Sequence, residues 1–491
     1  MEKKLFFDIG DKPKFSQLLI FAMQQVLAIL AATIAVPTII GLPTQIPAAI
    51  LGAGVGTIVY QLFTRFKSPV FLGSSFAFLG SMFVAVAYGY CGILLGSIVA
   101  GAVYVLIALI IHFVGTAWVD KLMPPVIIGP TVALIGLSLA GSAMGDMVKA
   151  NAAVTKTMAE YNLVGLLCGL ITFMTIVLCS TQKRYKMPRL IPFILGIGAG
   201  YLAASVFTVI GMVTKTDYLM IINFQPVIDN FVNDNGSFKG ITAFFDYPRF
   251  ALLEGFKELT SGELSAEIMD ANVKAKQTGA LLNWGGVAEV IIAFLPVALV
   301  VFAEHIADHK NLSSIIGRDL IKEPGLKRTL LGDGVGSMAG TIFGICPNTT
   351  YGESVGCVAI TRNASVITIT TTAIMCIILS FLSPLTAILQ TIPSCAMGGV
   401  CLTLYGFIAV SGLKMFKNLD LDDNKNLFVV AAILISGIGG LAIQIPYGLA
   451  AEGGFKNITI TSIATALLIG ISTNFVLTKL EQSKWGKQKG E

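Results

Sequence analysis

Pro347-Asn348-Thr349-Thr350-Tyr351-Gly352-Glu353, taken with Phe71-Leu72-Gly73-Ser74-Ser75-Phe76, decides how this chain is read. Each is a short glycine- and hydroxyl-rich stretch set inside an otherwise apolar span, one in either half of the sequence. Backbone that leaves the helix at membrane depth is tolerated only where protein buries it or a wet cavity receives it. Interrupted segments at matching places in two halves are the best sequence pointer to a transporter's binding site. The second stretch also carries a carboxylate, Glu353, to that depth. Together they point to a carrier with its site near the middle of the membrane.

The remainder of the chain agrees with that reading. Hydrophobic residues make up 55% of the 491 and charged residues only 12%, with a mean hydropathy of +0.81, whereas a soluble domain averages about 25% charged residues. This is the composition of an all-α polytopic membrane protein. Its apolar runs suffice for about fourteen spans, among them 286–309, 365–386, 427–445 and 457–478. The third (69–88) and tenth (347–361) are too rich in Gly, Ser, Thr and Pro for plain helices, and each reads as a short extended piece followed by a half-helix. The net charge of +5 is small and sits mostly in loops, so it sets orientation and does not mark a nucleic-acid surface. The polar start, Met1 to Lys14, leads straight into a span with no cleavable signal pattern. Eight cysteines are present, none in a C-x-x-C pair and most in apolar runs, and they read as small hydrophobes without disulfide or metal roles.

Orientation follows from the basic residues. Clusters come after even-numbered spans: Arg65 and Lys67, then Lys183, Arg184, Lys186 and Arg189, then Lys310, Arg318, Lys322, Lys327 and Arg328, then Lys414 and Lys417. With Lys3 and Lys4 at the start and Lys484, Lys487 and Lys489 in the tail, they place both termini in the cytoplasm. Segment 214–285 then lies outside as a small cap or partly ordered loop. A faint repeat supports two related halves. Met123-Pro124 with Gly129 matches Ile392-Pro393 with Gly398 at the same offset, in spans five and twelve, the same separation as the interrupted spans. An odd separation makes the halves inverted copies, so the expected division is 1–213, the external 214–285, and 286–491.

Ionisable groups at membrane depth are functional candidates because their desolvation is costly. Glu304 ends the run Val290 to Ala303, and Asp308 lies one turn on, on the same helical face. The competing reading makes Glu304 a cytoplasmic helix end, since His305, Asp308, His309 and Lys310 follow it. His305 and His309 have a helical metal-site spacing, but no third ligand cluster accompanies them. Glu353 competes with a solvated loop, and Glu289 is a rim residue. Phe76, Tyr351 and Tyr405 have packing roles as their bland alternatives, although buried tyrosine hydroxyls still need partners. Carboxylates facing two interrupted half-helices suit a small, flat, neutral solute. Half-helix N–H groups donate to its carbonyls, the carboxylates accept from its N–H edges, and a buried carboxyl can take up and release a proton. An intramembrane enzyme would need a nucleophile–base pair or metal triad on the spans, and none is present in the sequence.

On these residues the chain resembles the nucleobase–ascorbate (nucleobase–cation symporter-2) transporters, in their bacterial uracil-permease form. The family signature runs Gln, Glu or Pro, then Asn-x-Gly, with a later Thr. Here it stands as Glu353-Ser354-Val355-Gly356, with Thr361-Arg362 after it. Pro347 to Gly352, Gly73-Ser74-Ser75-Phe76-Ala77-Phe78 and Ala303-Glu304-His305 are similar to uracil-permease motifs. The resemblance implies about fourteen spans in two inverted repeats, divided into a core (spans one to four and eight to eleven) and a gate (five to seven and twelve to fourteen). It implies a homodimer in the plasma (inner) membrane that imports a nucleobase, uracil foremost, with the proton as coupling ion and no other cofactor. Matched by position, the base would be held by Ala32, Phe76 through its backbone, Glu304, Tyr351, the Gly352 N–H, Glu353 and Tyr405. Glu304, Glu353 and Asp308 would handle the proton. Three departures stand out: Ser354 replaces the signature Asn, Gln24-Gln25 stands where many members have Gln-His, and Asp308 stands where some have a histidine. A purine (xanthine or urate) permease is the alternative within the family. An anion carrier of the same architecture is the more distant one, disfavoured by the acidic lining.

Overall fold

The computed structural model describes residues 5–149, 161–182, 184, 188–189, 191–233, 235–449 and 455–482. Lys3, Lys4, Lys183, Lys186, Lys484, Lys487 and Lys489, part of the basic pattern, lie outside the described residues. The chain is built of helices. In order they are α1 (Phe15–Ile39), α2 (Ile46–Thr64), α3 (Leu79–Val86), α4 (Gly89–Val114), α5 (Ala117–Leu122), α6 (Pro125–Val148), α7 (Leu163–Thr181) and α8 (Pro192–Thr214). The insert contributes α9 (Gln225–Phe231), α10 (Ala251–Ser261) and α11 (Ala266–Lys274). Then come α12 (Trp284–Ile316), α13 (Leu326–Phe343), α14 (Gly352–Thr361), α15 (Val366–Leu379), α16 (Ser383–Gln390), α17 (Ser394–Lys414), α18 (Asn424–Ile438) and α19 (Ser462–Gln482). Among the described residues, 9 helices are long and apolar enough to cross a membrane, and α15 and α18 are shorter apolar ones.

Both interrupted spans take the form expected of them. Strand β1 (Leu72–Ser74) precedes α3, and β2 (Asn348–Thr350) precedes α14. The two pair antiparallel, Leu72 with Thr350, Gly73 with Thr349 and Ser74 with Asn348, and all six residues are buried. This pairing answers the backbone problem, because an unsatisfied group in the membrane interior costs several kcal/mol. Tyr351 N donates to the Phe71 carbonyl (3.1 Å), Ser75 N to the Pro347 carbonyl (3.1 Å) and Leu72 N to the Thr57 hydroxyl (2.9 Å).

Helix α13 is the least apolar of the spans, carrying Lys327, Arg328 and Asp333, and its glycines explain how it is held. A Cβ on Gly340 would sit 2.8 Å from the Gly52 carbonyl, and one on Gly336 would sit 2.7 Å from that of Gly56. The α2 and α13 backbones therefore touch directly, as small-residue helix contacts in membranes do. Packing divides the molecule into two bodies. Helices α1–α4 pack with α12–α15, and α6–α8 pack with α17–α19. These correspond to the core and gate expected from the sequence.

Three expectations change. The span read at 286–309 runs on to Ile316, so Glu304 lies well inside α12 and is not a helix end. The span read at 365–386 stops at Leu379, and a turn precedes the Pro-initiated α16. The ends of the spans read at 427–445 and 457–478 are strands, not helix. Helix α18 ends at Ile438, Gly440 takes φ +72°, and β3 (Ile443–Leu449) pairs with β4 (Phe455–Ile460). Hydropathy alone merged these segments because their β-branched residues are as apolar as the helices beside them.

The insert is an ordered cap fastened to the core. Glu258, 3% exposed, accepts from the backbone N–H groups of Tyr90 (2.9 Å) and Ser265 (3.2 Å). Asn272 donates to the Val86 carbonyl (3.3 Å), Ala280 N to the Ala87 carbonyl (2.9 Å), and Gln45 to Glu267 (3.1 Å). Burial pushes the carboxyls of Glu258 and Glu267 above the usual carboxylate range, and the hydrogen bonds they accept oppose this only in part.

Candidate functional site

The site forms where the two interrupted spans pass α12. Because α12 continues past Glu304, its polar turn lies in the protein interior: His305 and His309 are fully buried and Asp308 is 6% exposed. Asp308 accepts from the Thr350 hydroxyl at 2.7 Å, which ties α12 to β2. Its other oxygen stands beside Gly352, 3.9 Å from where a Cβ there would lie. Gly352 and Glu353 form the first turn of α14, where backbone N–H groups lack helical partners. Glu304, Asp308 and Glu353 lie close enough for their charges to act on one another, so protonation of one is tied to the others. Oε2 of Glu304 is buried without a hydrogen-bond partner. A buried acceptor left unused is the exception in folded proteins and marks a place for a ligand or water.

The aromatic candidates lie on both bodies. Tyr351 is held from two directions: its hydroxyl donates to the Ser74 carbonyl at 3.0 Å and lies 3.4 Å from the Thr33 hydroxyl. Phe76, on the core, meets Tyr405 of the gate helix α17 edge to face, with ring centroids 5.2 Å apart. The Tyr405 hydroxyl is buried, with the Cys401 thiol beside it. Ala32 is fully buried in α1. Of the residues singled out in the sequence, Glu304, Asp308, Gly352 and Glu353 are thus gathered where α12 meets α14, and Phe76 and Tyr405 meet each other between core and gate. Tyr351 links β2 to β1.

Two sets of residues escaped the sequence reading. The His305 ring stands 2.6 Å from Asp333 through Nδ1 and 3.0 Å from the Thr329 hydroxyl through Nε2. His309 donates to the His305 carbonyl (2.8 Å), and its other nitrogen meets the Tyr60 hydroxyl (2.8 Å), which reaches Ser68 (2.8 Å). Both histidines are fully engaged in fixing α12. No group of His, Cys, Asp or Glu that could hold a metal occurs among the described residues. Asp333 carried a signal that the sequence reading did not take up, an acid between Gly332 and Gly334 in a span. Asn348 is the second omission: its amide donates to the Gly52 carbonyl (2.8 Å), and its N–H to the Ser337 hydroxyl (3.0 Å). Two of the departures from the family pattern prove to be partners. The Gln25 amide of α1 donates to the Ser354 hydroxyl and reaches its carbonyl at 3.4 Å, bracing the first turn of α14.

A cavity of about 520 Å³ runs along the core–gate boundary on the side of the cap. Ala35 and Cys401, among the residues lining it, lie one turn from Ala32 and Tyr405. The charged residues at its rim are Asp146, Lys149 and Lys274.

Comparison with known proteins gives a consistent result. A family model described as the Permease family matches residues 16–445. A uracil permease of Bacillus caldolyticus is 34% identical over 477 residues, 96% of this chain and 95% of the relative. The uracil permease of Bacillus subtilis (strain 168) is 32% identical over 486 residues, covering 98% of both chains. That of Escherichia coli (strain K12) is 32% identical over 463 residues, 94% of this chain and 93% of the relative. Among solved structures, the murine Solute Carrier 26 family member A9 anion transporter in its inward-facing state aligns with a TM-score of 0.62. It does so at 11% identity over 96% of this chain and 69% of that one, a likeness of fold alone.

Proposed function

The chain belongs to the permease family, the nucleobase–ascorbate transporters, and from that premise we propose that it imports a nucleobase, uracil foremost, together with protons. Membership makes it a multi-pass membrane transporter and not an enzyme. The observation that carries the reading is the unpartnered Glu304 oxygen set near Asp308 and Glu353 at the open N-terminal turn of α14.

The chemistry follows from the donor set. Uracil is flat and neutral, with N–H and C=O groups alternating around its edge. Glu304 and Glu353 accept from its N–H groups, and the N–H groups of Gly352 and Glu353 donate to a carbonyl, helped by the positive end of the half-helix. Phe76 backs the base through its backbone, Ala32 leaves it room, and Tyr405 covers it from the gate. A proton arriving on one of the linked carboxyls changes how strongly the site holds the base, which couples the two movements. Asp308, hydrogen-bonded to Thr350, passes the proton between the carboxyls and the buried side of α12. Alternating access is a displacement of the core against the gate, exposing the site first to one face and then to the other. Halves 1–213 and 286–491 act as inverted repeats joined by the cap 214–285. The protein works as a homodimer in the plasma (inner) membrane with both termini in the cytoplasm, and it needs no cofactor but the proton.

A purine permease is the second reading. The Ala303-Glu304-His305 form and the uracil-permease relatives at 32–34% identity favour a pyrimidine. An anion carrier is supported only by the fold, and three carboxyls at the site would repel its substrate at close range. The test is uptake of radiolabelled uracil into proteoliposomes under an inward proton gradient, with xanthine, urate, thymine and cytosine as competitors. Uptake blocked by pyrimidines supports the proposal, whereas purine uptake without uracil uptake refutes the choice of substrate.

A further inference from the structure

The cavity beside the cap has walls that belong to different bodies. Thr38 and Phe83 come from the core, and Asp146 and Cys401 from the gate. Lys274 and Gln277 come from the cap, which Glu258, Asn272 and Ala280 fasten to the core. The cavity's volume of about 520 Å³ falls within the range of about 300–1,000 Å³ usual for small-molecule sites.

One of its polar groups is unspent. Oε1 of Gln277 is buried without a hydrogen-bond partner. Asp146 is partly buried near the end of α6 and has Lys149 as its nearby counter-charge. Cys401 lines the same cavity, one turn before Tyr405 on α17. Beside the cations Lys149 and Lys274, the lining offers a carboxylate acceptor, a carboxamide that both donates and accepts, and the ring of Phe83. It matches the edge pattern of the same flat, neutral, amide-bearing solute that suits the central site.

We propose that this cavity is an outer subsite for the nucleobase, in which Asp146 accepts from an N–H of the base and Gln277 pairs with its adjoining amide edge. The inference rests on the nucleobase reading given above and adds a second place of binding to it. From this subsite the base passes Cys401 to reach Tyr405 and the carboxyls. Because Asp146 rides on the gate and Gln277 on the cap that is fastened to the core, the subsite is complete only in one arrangement of the two bodies. A change in that arrangement dismantles it and releases the base inward.

The test uses the full chain in right-side-out vesicles with Ser142→Cys, a position lining the cavity. A membrane-impermeant thiol reagent is the probe, and labelling is counted above that of the chain without the new cysteine. Bound uracil should slow labelling by one plus the ratio of its concentration to the dissociation constant, about threefold at twice that constant. The expected result is that this protection persists in Glu353→Gln and in Glu304→Gln, whose central site is impaired. It should be lost on adding Asp146→Asn or Gln277→Ala. Protection that vanishes in both glutamine variants, or survives both outer substitutions, overturns the subsite and leaves the cavity as a passage. Uptake measured in the same vesicles separates the two failures. Uptake by the parent chain without protection in the glutamine variants refutes the subsite alone, whereas neither uptake nor protection refutes both readings.

Discussion

Replacing Gly73 with alanine tests whether the crossing of β1 and β2 sets the site. The new Cβ would lie 2.3 Å from Cε2 and Cζ of Tyr351 and 2.8 Å from its hydroxyl. The ring cannot easily give way. It is 3% exposed, its hydroxyl is bound to the Ser74 carbonyl, and the strand spacing is fixed by the pairing of Gly73 with Thr349. Overpacking of this kind costs about 1–3 kcal/mol, and the displaced tyrosine forfeits a buried hydrogen bond worth about 1 kcal/mol. The expected destabilisation is therefore about 2–4 kcal/mol. Tyr351 immediately precedes Gly352 and Glu353, so the shift reaches the first turn of α14. A misplacement of about 1 Å in a site can cost up to roughly a hundredfold in rate, and uptake should fall by at least about tenfold by the same reasoning. Thermal unfolding of purified protein in detergent and uracil uptake in proteoliposomes read the two effects. The double variant Gly73→Ala/Tyr351→Leu, which removes the clashing ring atoms, should recover much of the melting temperature. A Gly73→Ala protein with wild-type melting and wild-type uptake would refute the reasoning, since the close approach would then constrain nothing.

Other consequences can be checked with the same preparations. Glu304→Gln and Glu353→Gln should each abolish or greatly reduce uptake while the protein still reaches the membrane folded; robust transport by both would sink the assignment of the site. Uptake should rise as external pH falls and collapse with a protonophore, and indifference to both would exclude proton coupling. The cap should respond to pH with a definite sign. Burial raises the folded-state pKa of Glu258 and Glu267 above the unfolded value of about 4.3. Ionisation therefore disfavours the docked cap, whose stability is greatest below that value and declines as pH rises through the window up to the folded pKa. Proteolysis within 251–280 should be slower at pH 5 than at pH 7, and Glu258→Gln should flatten the difference. An unchanged rate in the parent protein would show that these carboxyls do not govern docking.

The interruptions at 71–76 and 347–353 were legible as sequence because each crowds hydroxyl residues with glycine or proline into six or seven positions of an apolar span, at matching places in the two halves. The same holds for Glu304 and Glu353, whose cost at membrane depth is a property of the residue and its span. The β3–β4 hairpin was not legible, since hydropathy measures transfer from water and does not distinguish apolar strand from apolar helix. The cap's docking was hidden for another reason. Glu258 sits in a polar segment where a carboxylate raises no question until Tyr90 and Ser265 are found beside it. Gln25 and Ser354 each stood out as a departure, yet nothing in the chain order joins two residues 329 positions apart. Asp333 drew no attention in the sequence, and only the fold sets it 2.6 Å from His305. Sequence alone determined that 71–76 and 347–353 leave the helix and that Glu304 and Glu353 are candidate carboxyls at membrane depth, because those are local costs. The tertiary structure alone decided which polar groups satisfy one another and which, like Oε2 of Glu304, are left open, because a hydrogen bond depends on a distance that only folding creates.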